Sequence, residues 1–320
     1  MTNKNPLDDV LGQPSAVGLL MAGLESNRVP HAYLFSGPEG VGKKKAARAW
    51  AQILLCQNRP TPVTVCGTCP PCQKAETESV ANLIWVDFAF QAALKEEEVG
   101  TQKSLKIDTV RALERQLHMR PAEGTGTIAV ISPADLLTGD ASHALLKIVE
   151  EPPTGTHLVL IAQEAGSLLP TIRSRCQRVR FSPLSVETVT RVLEKRHGHR
   201  TLDDITRAAR ACDGSMERAE TLMNEEENLN FDWAGAPLSE LWTWCEGLQH
   251  PRFGRTAAER LLLTILRQFQ EEGRTGQRPA DDLRRVFDAL TRLRQNAAVA
   301  LTLQHLFIHL RRDARRREIL

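Results

Sequence analysis

The chain has 320 residues, of which 42% are hydrophobic and 25% charged, with a formal net charge of +2. That length allows roughly two or three domains with substantial cores, and the composition excludes a disordered or fibrous chain. The near-neutral balance does not by itself indicate nucleic acid. No apolar stretch reaches membrane-spanning length and "MTNKNPLDDV" lacks a signal-peptide core, which leads to the expectation of a cytoplasmic protein with no membrane partner.

The first 180 residues alternate short β-rich runs with helical patterns. The strand candidates are "AYLFS" (32–36), "LIWVDF" (83–88), "TIAVIS" (127–132), "HLVLIA" (157–162) and "QRVRF" (177–181). Most are continuously apolar, as strands buried on both faces must be. Helical patterns such as "KKAARAWAQILLC" and "ASHALLKIVEE" lie between them, which predicts a mostly parallel α/β sheet with crossover helices. The charged stretch "LKEEEVGTQKS" (94–104) reads as a mobile loop. After Ser182 the β signal disappears. "SVETVTRVLEKR", "LDDITRAARAC" and "SMERAETLMN" read as three short amphipathic helices, "NEEENLNFDWAGAP" as a polar linker, and the chain from about Pro237 onward as longer helices. The fold class expected is therefore α/β plus all-α. Its divisions are an α/β domain at 1–182, a small helical domain at 183–226 and a helical terminal domain at 227–320.

Directly after the first strand comes "GPEGVGKKK", Gly37 to Lys45. It meets G-x-x-x-x-G-K-[ST] except at its last position, and it has a strand before it and a helix after it. In such a loop, backbone N–H groups and a helix N-terminus surround phosphates. Gly37, Gly40 and Gly42 permit the tight path, and Lys43 is placed to reach the β- and γ-phosphates. The next residue should supply a hydroxyl to Mg²⁺. It is Lys44, and an ammonium has donors only. The strand "TIAVIS" should end in an acidic pair, but Ser132 and Pro133 stand there, and the nearest acid, Asp135, lies further along. Losses on both sides of the metal argue against Mg²⁺ and against ATP turnover. They leave open ATP or ADP binding through Lys43 and the loop amides.

Four of the seven cysteines crowd together as C-x9-C-x2-C-x2-C: Cys56, Cys66, Cys69 and Cys72. Four thiolates can close a tetrahedral Zn²⁺ shell, and Gly67 with Pro70-Pro71 suits a tight knuckle. A structural zinc in a module at about 56–75 is expected, with no open position for water. Cys176, Cys212 and Cys245 are expected to be core thiols.

Three segments together carry a resemblance. "LGQPSAVGLLMAGLESNRVPHAYLFSGPEGVGKKKAARAWAQILLC", "ALLKIVEEPP" (144–153) and "LLPTIRSRCQRVRF" (168–181) occur in the order and spacing of bacterial clamp-loader ATPases. The resemblance covers roughly residues 8–225, and more loosely "LRQNAAVALTLQHLFIHL" (293–310). It implies an AAA+ P-loop parallel-sheet domain with a zinc module, a small helical lid domain and a C-terminal helical collar domain. It implies partners as well: gamma/tau and delta subunits of DNA polymerase III in a heteropentamer, with the sliding clamp and primed DNA reached through the complex. The family's sensor threonine falls near Ala162 and Gln163, and its lid arginine falls on Glu217, with Arg218 one residue later. In the motif Ser174-Arg175-Cys176, the resemblance implies that Arg175 is an arginine finger reaching a neighbour's ATP. Ser174 and Cys176 are motif neighbours with no assigned catalytic role. The rival reading is that Arg175 pairs with a local carboxylate at a strand start.

Two rival readings stay open. One is an active AAA+ ATPase of the gamma/tau type; the other is a zinc-bearing DNA-binding protein outside the clamp loader, using basic patches such as Arg311–Arg317. His31 is expected to pack or hydrogen-bond at the strand entry. Trp233, Trp242 and Trp244 are expected to be core or interface anchors.

Overall fold

All five expected strands lie side by side in one sheet. The computed structural model describes residues 4–318 apart from 75–79, 81, 96–98, 100–101, 120–125, 199, 230–234, 249–253, 275–279 and 296. Two compact units are distinguished, Met1–Ala219 and Glu220–Leu320.

The first unit opens with a short 3₁₀ turn and α1 (Pro14–Glu25), then β1 (Ala32–Ser36), α2 (Lys43–Leu55) and α3 (Pro70–Lys74). Next come β2 (Leu83–Val86), α4 (Phe88–Lys95), α5 (Ile107–Leu117) and β3 (Thr127–Ile131). They are followed by α6 (Gly139–Glu150), β4 (Thr156–Ala162), α7 (Pro170–Arg175) and β5 (Gln177–Arg180). α8 (Val186–Arg196), α9 (Leu202–Ala211) and the start of α10 (Met216–Leu229) complete it.

The sheet order is β2-β3-β4-β1-β5, every neighbouring pair being parallel. β1, β3 and nearly all of β4 are buried along their length, which is why their sequences are continuously apolar rather than alternating. Successive side chains still point to opposite faces. Tyr33, Phe35, Val130 and Ile161 pack toward Leu20 and Trp50 on one side. Leu34, Ile131 and Leu160 pack toward Leu113, Leu145 and Ile172 on the other. The sheet is thus the middle of three layers.

Local chemistry sets several boundaries. β2 was expected to reach residue 88 but stops at Val86, because Asp87 caps the next helix: its Oδ1 accepts from the Phe90 amide at 2.9 Å. Thr138, Ser185 and Thr201 cap α6, α8 and α9 through their hydroxyl oxygens. The expected loop at 94–104 lies partly outside the described residues, and Leu94 and Lys95 finish α4. Its far end is pinned by the fully buried Gln91. Gln91 Nε2 donates to the Ser104 carbonyl at 3.0 Å, and Oε1 accepts from the Lys106 amide at 2.7 Å and Thr109 Oγ1 at 2.6 Å.

The expected linker from Asn224 is corrected as well. α10 continues to Leu229, since the run through Glu225-Glu226-Glu227 contains no Gly or Pro and glutamate is a good helix former. Residues 230–234 of that stretch, Trp233 among them, lie outside the described residues.

The second unit continues with α11 (Leu238–Gly247), α12 (Gly254–Arg274), α13 (Ala280–Arg294) and α14 (Val299–Glu318). Leu241, Cys245, Leu262, Phe269, Val286, Leu293, Leu303 and Phe307 form its core. Trp244 tilts against Phe307 at 5.7 Å between ring centroids, whereas Trp242 is exposed. The Arg-rich stretch continues α14 as its last turns. No helix among the described residues is long and apolar enough to cross a membrane.

Candidate phosphate loop, arginine and zinc sites

β1 delivers the glycine-rich loop and α2 receives it. Gly37, Gly40 and Gly42 all have positive φ, at 148°, 74° and 100°. A Cβ on Gly37 would lie 2.2 Å from the Phe181 carbonyl oxygen, and one on Gly40 would lie 2.3 Å from Ser215 Oγ. At Gly42 nothing lies within 4 Å, so that glycine serves the backbone turn rather than a close approach. The loop is tied in at its base, where the Gly37 amide donates to the Gln163 carbonyl at 3.0 Å. At its crown the Met216 amide donates to the Gly40 carbonyl at 2.9 Å.

Lys43 is buried, and its ammonium donates to the carbonyls of Gly37 and Pro38. Burial lowers its pKa from the usual ammonium value, while the charges of Asp135, Glu39 and Glu217 oppose that shift. Lys44, at the hydroxyl position, is exposed. Ser132 is buried at the end of β3, and its amide donates to the Val86 carbonyl at 2.9 Å. No carboxylate stands at either expected acidic position.

The structure brings one acid to the loop that the spacing did not assign. Asp135 lies on a 3₁₀ turn that folds it back toward Lys43, and its Oδ2 accepts from the Gln163 amide at 3.2 Å. Its Oδ1 is buried with no hydrogen-bond partner among the described residues. The signal was the "PAD" turn, which carries the acid four residues past the strand end at Ile131. Glu217, at the position of the family's lid arginine, acts electrostatically on Lys43, whereas Arg218 pairs with Asp213.

Arg175 is the last residue of α7. Its Nη2 forms an ion pair with Glu150 Oε1 at 2.8 Å, and Nη1 donates to the Thr171 carbonyl at 3.1 Å. Ser174 Oγ donates to the same carbonyl at 3.0 Å. The Arg175 side chain is 42% exposed despite these partners, so the local pairing and an outward-facing guanidinium coexist. Cys176 is buried, and burial pushes its thiol up to about 11, which leaves it inert near neutrality. Cys212 and Cys245 are buried too, as expected of core thiols.

The four clustered cysteines converge. Cys56 follows the end of α2, Cys66 and Cys69 lie on the knuckle, and Cys72 sits on α3. One sulfur from each lies within 4.8 Å of all the others. Cys66 to Cys72 and Cys69 to Cys56 are both 4.0 Å apart, close to the roughly 3.8 Å edge of a tetrahedron with Zn–S bonds of about 2.3 Å. The Cys66 amide donates to Cys56 Sγ and the Cys69 amide to Cys66 Sγ, each at 3.4 Å. Amide donors at Thr68 and Cys69 hold the Cys66 thiol down at about 5, whereas burial pushes Cys56 and Cys72 up. An all-thiol donor set at this spacing could hold a zinc ion with every position filled.

The isolated histidines are structural. His31 Nε2 lies 3.1 Å from the Val149 carbonyl oxygen at the entry to β1, and His157 stands edge-on to Trp50 at 5.7 Å.

Comparison with known proteins bears on most of the first unit. The family described as "DNA polymerase III, delta subunit" matches residues 12–185, more than half of the chain. DNA polymerase III subunit tau of Salmonella typhimurium is 33% identical over 224 residues, covering 68% of this chain and 32% of that protein. DNA polymerase III subunit delta' of Pseudomonas aeruginosa is 37% identical over 146 residues, covering 46% of this chain and 41% of that protein. The chain therefore spans about a third of the length of the tau relative it matches. A solved DNA polymerase III gamma subunit-related protein from Thermotoga maritima aligns with a TM-score of 0.44 at 14% identity, over 92% of this chain and 98% of that one. On the family match, the chain belongs to the DNA polymerase III delta-subunit family and is a clamp-loader-type subunit.

Proposed function

We propose that this chain is the delta-prime-like subunit of a bacterial clamp loader, without ATPase activity of its own. In this reading it assembles with gamma/tau and delta subunits into a heteropentamer that places the sliding clamp on primed DNA. It forms one structural end of the ring and supplies Arg175 in trans to a neighbour's ATP. Residues 1–182, 183–226 and 227–320 act as AAA+ domain, lid and oligomerising collar. The cysteine module holds a structural zinc.

The observation that carries the reading is the contrast between two sites in one chain. The phosphate loop keeps its glycines and Lys43 but has Lys44, Ser132 and Pro133 where metal-binding and water-activating groups belong. Arg175, by contrast, is held through Nη1 and Nη2 while 42% of its side chain stays exposed. A planar guanidinium offers paired donors and fixed charge where phosphoryl transfer accumulates negative charge. Well-placed fingers contribute roughly 10³–10⁵ in kcat, so a subunit with no turnover of its own can still govern that of the complex.

The test is ATPase activity of the complex reconstituted with Arg175→Ala. We expect turnover to fall by roughly an order of magnitude or more, with assembly unchanged by size-exclusion chromatography. Unaltered turnover in a fully assembled complex would remove the trans role.

A second reading, an active gamma/tau-type ATPase, is favoured by the longer match to the tau relative, 224 residues against 146 for delta'. ATP hydrolysis by the purified chain, abolished by Lys43→Ala, would establish it instead.

A further inference from the structure

The partner of Arg175 stands against its own helix. Glu150 is the last residue of α6, which stops there because Glu151-Pro152-Pro153 follows. A helix C-terminus carries partial negative charge and disfavours a carboxylate. A glutamate so placed needs a cation, and Arg175 supplies one at 2.8 Å. Arg175, at the end of α7, sits where a helix welcomes positive charge.

Both helix ends are immobilised by one core. Ile148 and Val149, just before Glu150, are buried with Leu168 and Ile172, which flank the start of α7. The His31 ring also lies 3.1 Å from the Val149 carbonyl oxygen. The Arg175 guanidinium is therefore fixed through Nη2 by Glu150 and through Nη1 by the Thr171 carbonyl. A guanidinium has five N–H donors, so these partners, with Ser174 Oγ accepting from Nη1 at 3.5 Å, leave others available. With 42% of the side chain exposed, those donors have access to solvent.

We infer that Glu150 is a positioning residue for Arg175. It holds the guanidinium in one orientation, with its remaining N–H groups presented to a phosphate oxygen on the neighbouring subunit. This rests on the trans-arginine reading above. Side chains that fix a functional group from rigid elements matter because small misplacements of a charge-stabilising group carry large rate penalties.

The experiment uses the reconstituted complex carrying wild-type chain, Glu150→Ala, Glu150→Gln, Arg175→Ala or the Glu150→Ala/Arg175→Ala pair. kcat and KM for ATP are measured separately, and incorporation of each variant is checked by size-exclusion chromatography. We expect Glu150→Ala to lower kcat about tenfold with KM unchanged. Glu150→Gln, whose amide oxygen still accepts from Nη2, should restore most of it. In the Arg175→Ala background Glu150→Ala should add nothing, since its only route of action is gone. If Arg175→Ala lowers kcat but Glu150→Ala matches wild type, the positioning role is overturned while the trans role stands. A kcat raised by Glu150→Ala also overturns it, because the carboxylate then restrains the arginine instead of presenting it. If Arg175→Ala itself changes nothing, both readings fall together.

Discussion

Met216 donates its backbone N–H to the carbonyl of Gly40 at 2.9 Å, tying the start of α10 to the crown of the phosphate loop. Ser215 Oγ lies where a Cβ on Gly40 would need to be, 2.3 Å away. The loop and the helical segment after β5 thus close on each other with no room for a side chain.

Gly40→Ala should accordingly destabilise the first unit by about 2 kcal/mol, from the positive φ together with the collision at Ser215. Urea unfolding followed by circular dichroism measures this. A change below about 0.5 kcal/mol would mean that α10 yields easily and the closure is loose.

The cysteine cluster predicts about one zinc per chain by elemental analysis of protein purified without added metal. Strong chelation, or Cys69→Ser, should lower the melting temperature by several degrees. Acid should release the metal as well. Protons compete with the metal for the four thiolates, so zinc occupancy should fall as pH is lowered. Zinc occupancy unchanged down to strongly acid pH would contradict a thiolate site.

Gln13 joins three parts of the first unit. Its Nε2 donates to the carbonyls of Val41 at 3.2 Å and Ser182 at 2.7 Å, and its Oε1 accepts from the Ser182 amide at 3.0 Å. It is almost fully buried. Removing one partner leaves buried groups unsatisfied, so Gln13→Ala should cost about 2–4 kcal/mol. Gln13→Glu, which turns an acceptor toward the Val41 and Ser182 carbonyls, should cost at least as much. Equal stability of wild type and Gln13→Ala would show that water replaces the amide without loss.

Neither the purified wild-type chain nor Lys43→Ala should hydrolyse ATP. The Lys43 ammonium is already engaged by the Gly37 and Pro38 carbonyls, and Lys44 offers no metal ligand. Calorimetric titration with ATP, with and without Mg²⁺, separates binding from turnover. Binding strengthened by Mg²⁺ would reveal a metal site that these residues do not suggest.

Arg175→Lys should fail to rescue Arg175→Ala in the assembled complex. An ammonium is a point donor and cannot hold Glu150, the Thr171 carbonyl and an outside phosphate in the geometry of a planar fork. Wild-type turnover with lysine would mean that charge alone suffices.

Much of this architecture was legible in the residues. The five strands announced themselves as apolar runs, and the burial of β1 and β3 from end to end explains why the runs were unbroken. The cysteine spacing led to four sulfurs that do converge. What escaped depended on single side chains making local choices. Asp87 turned the end of an expected strand into a helix start. Gln91 pinned a segment whose charge suggested a loose loop. Asp135 reached the phosphate loop because a 3₁₀ turn folds it back, and strand-end spacing does not report such a turn. The pairing of Arg175 with Glu150, 25 residues earlier, needed the packing of α6 and α7 on one core to become visible.

The sheet register has a consequence for how such chains can be joined. The phosphate loop leaves the C-terminal end of β1, whereas Arg175 stands just before β5, whose Gln177 pairs with Tyr33 near the start of that same strand. At about 3.3 Å per residue, the two lie roughly 15 Å apart along the strand direction, at opposite ends of neighbouring strands. On the trans-arginine reading proposed above, the first unit therefore has a polarity, with a receiving end and a giving end. Copies joined head to tail would use heterologous interfaces, in which each arginine finds the next subunit's loop. On that reading, a member whose receiving end lacks its metal-side groups and whose giving end is intact would take the place with no donor behind it.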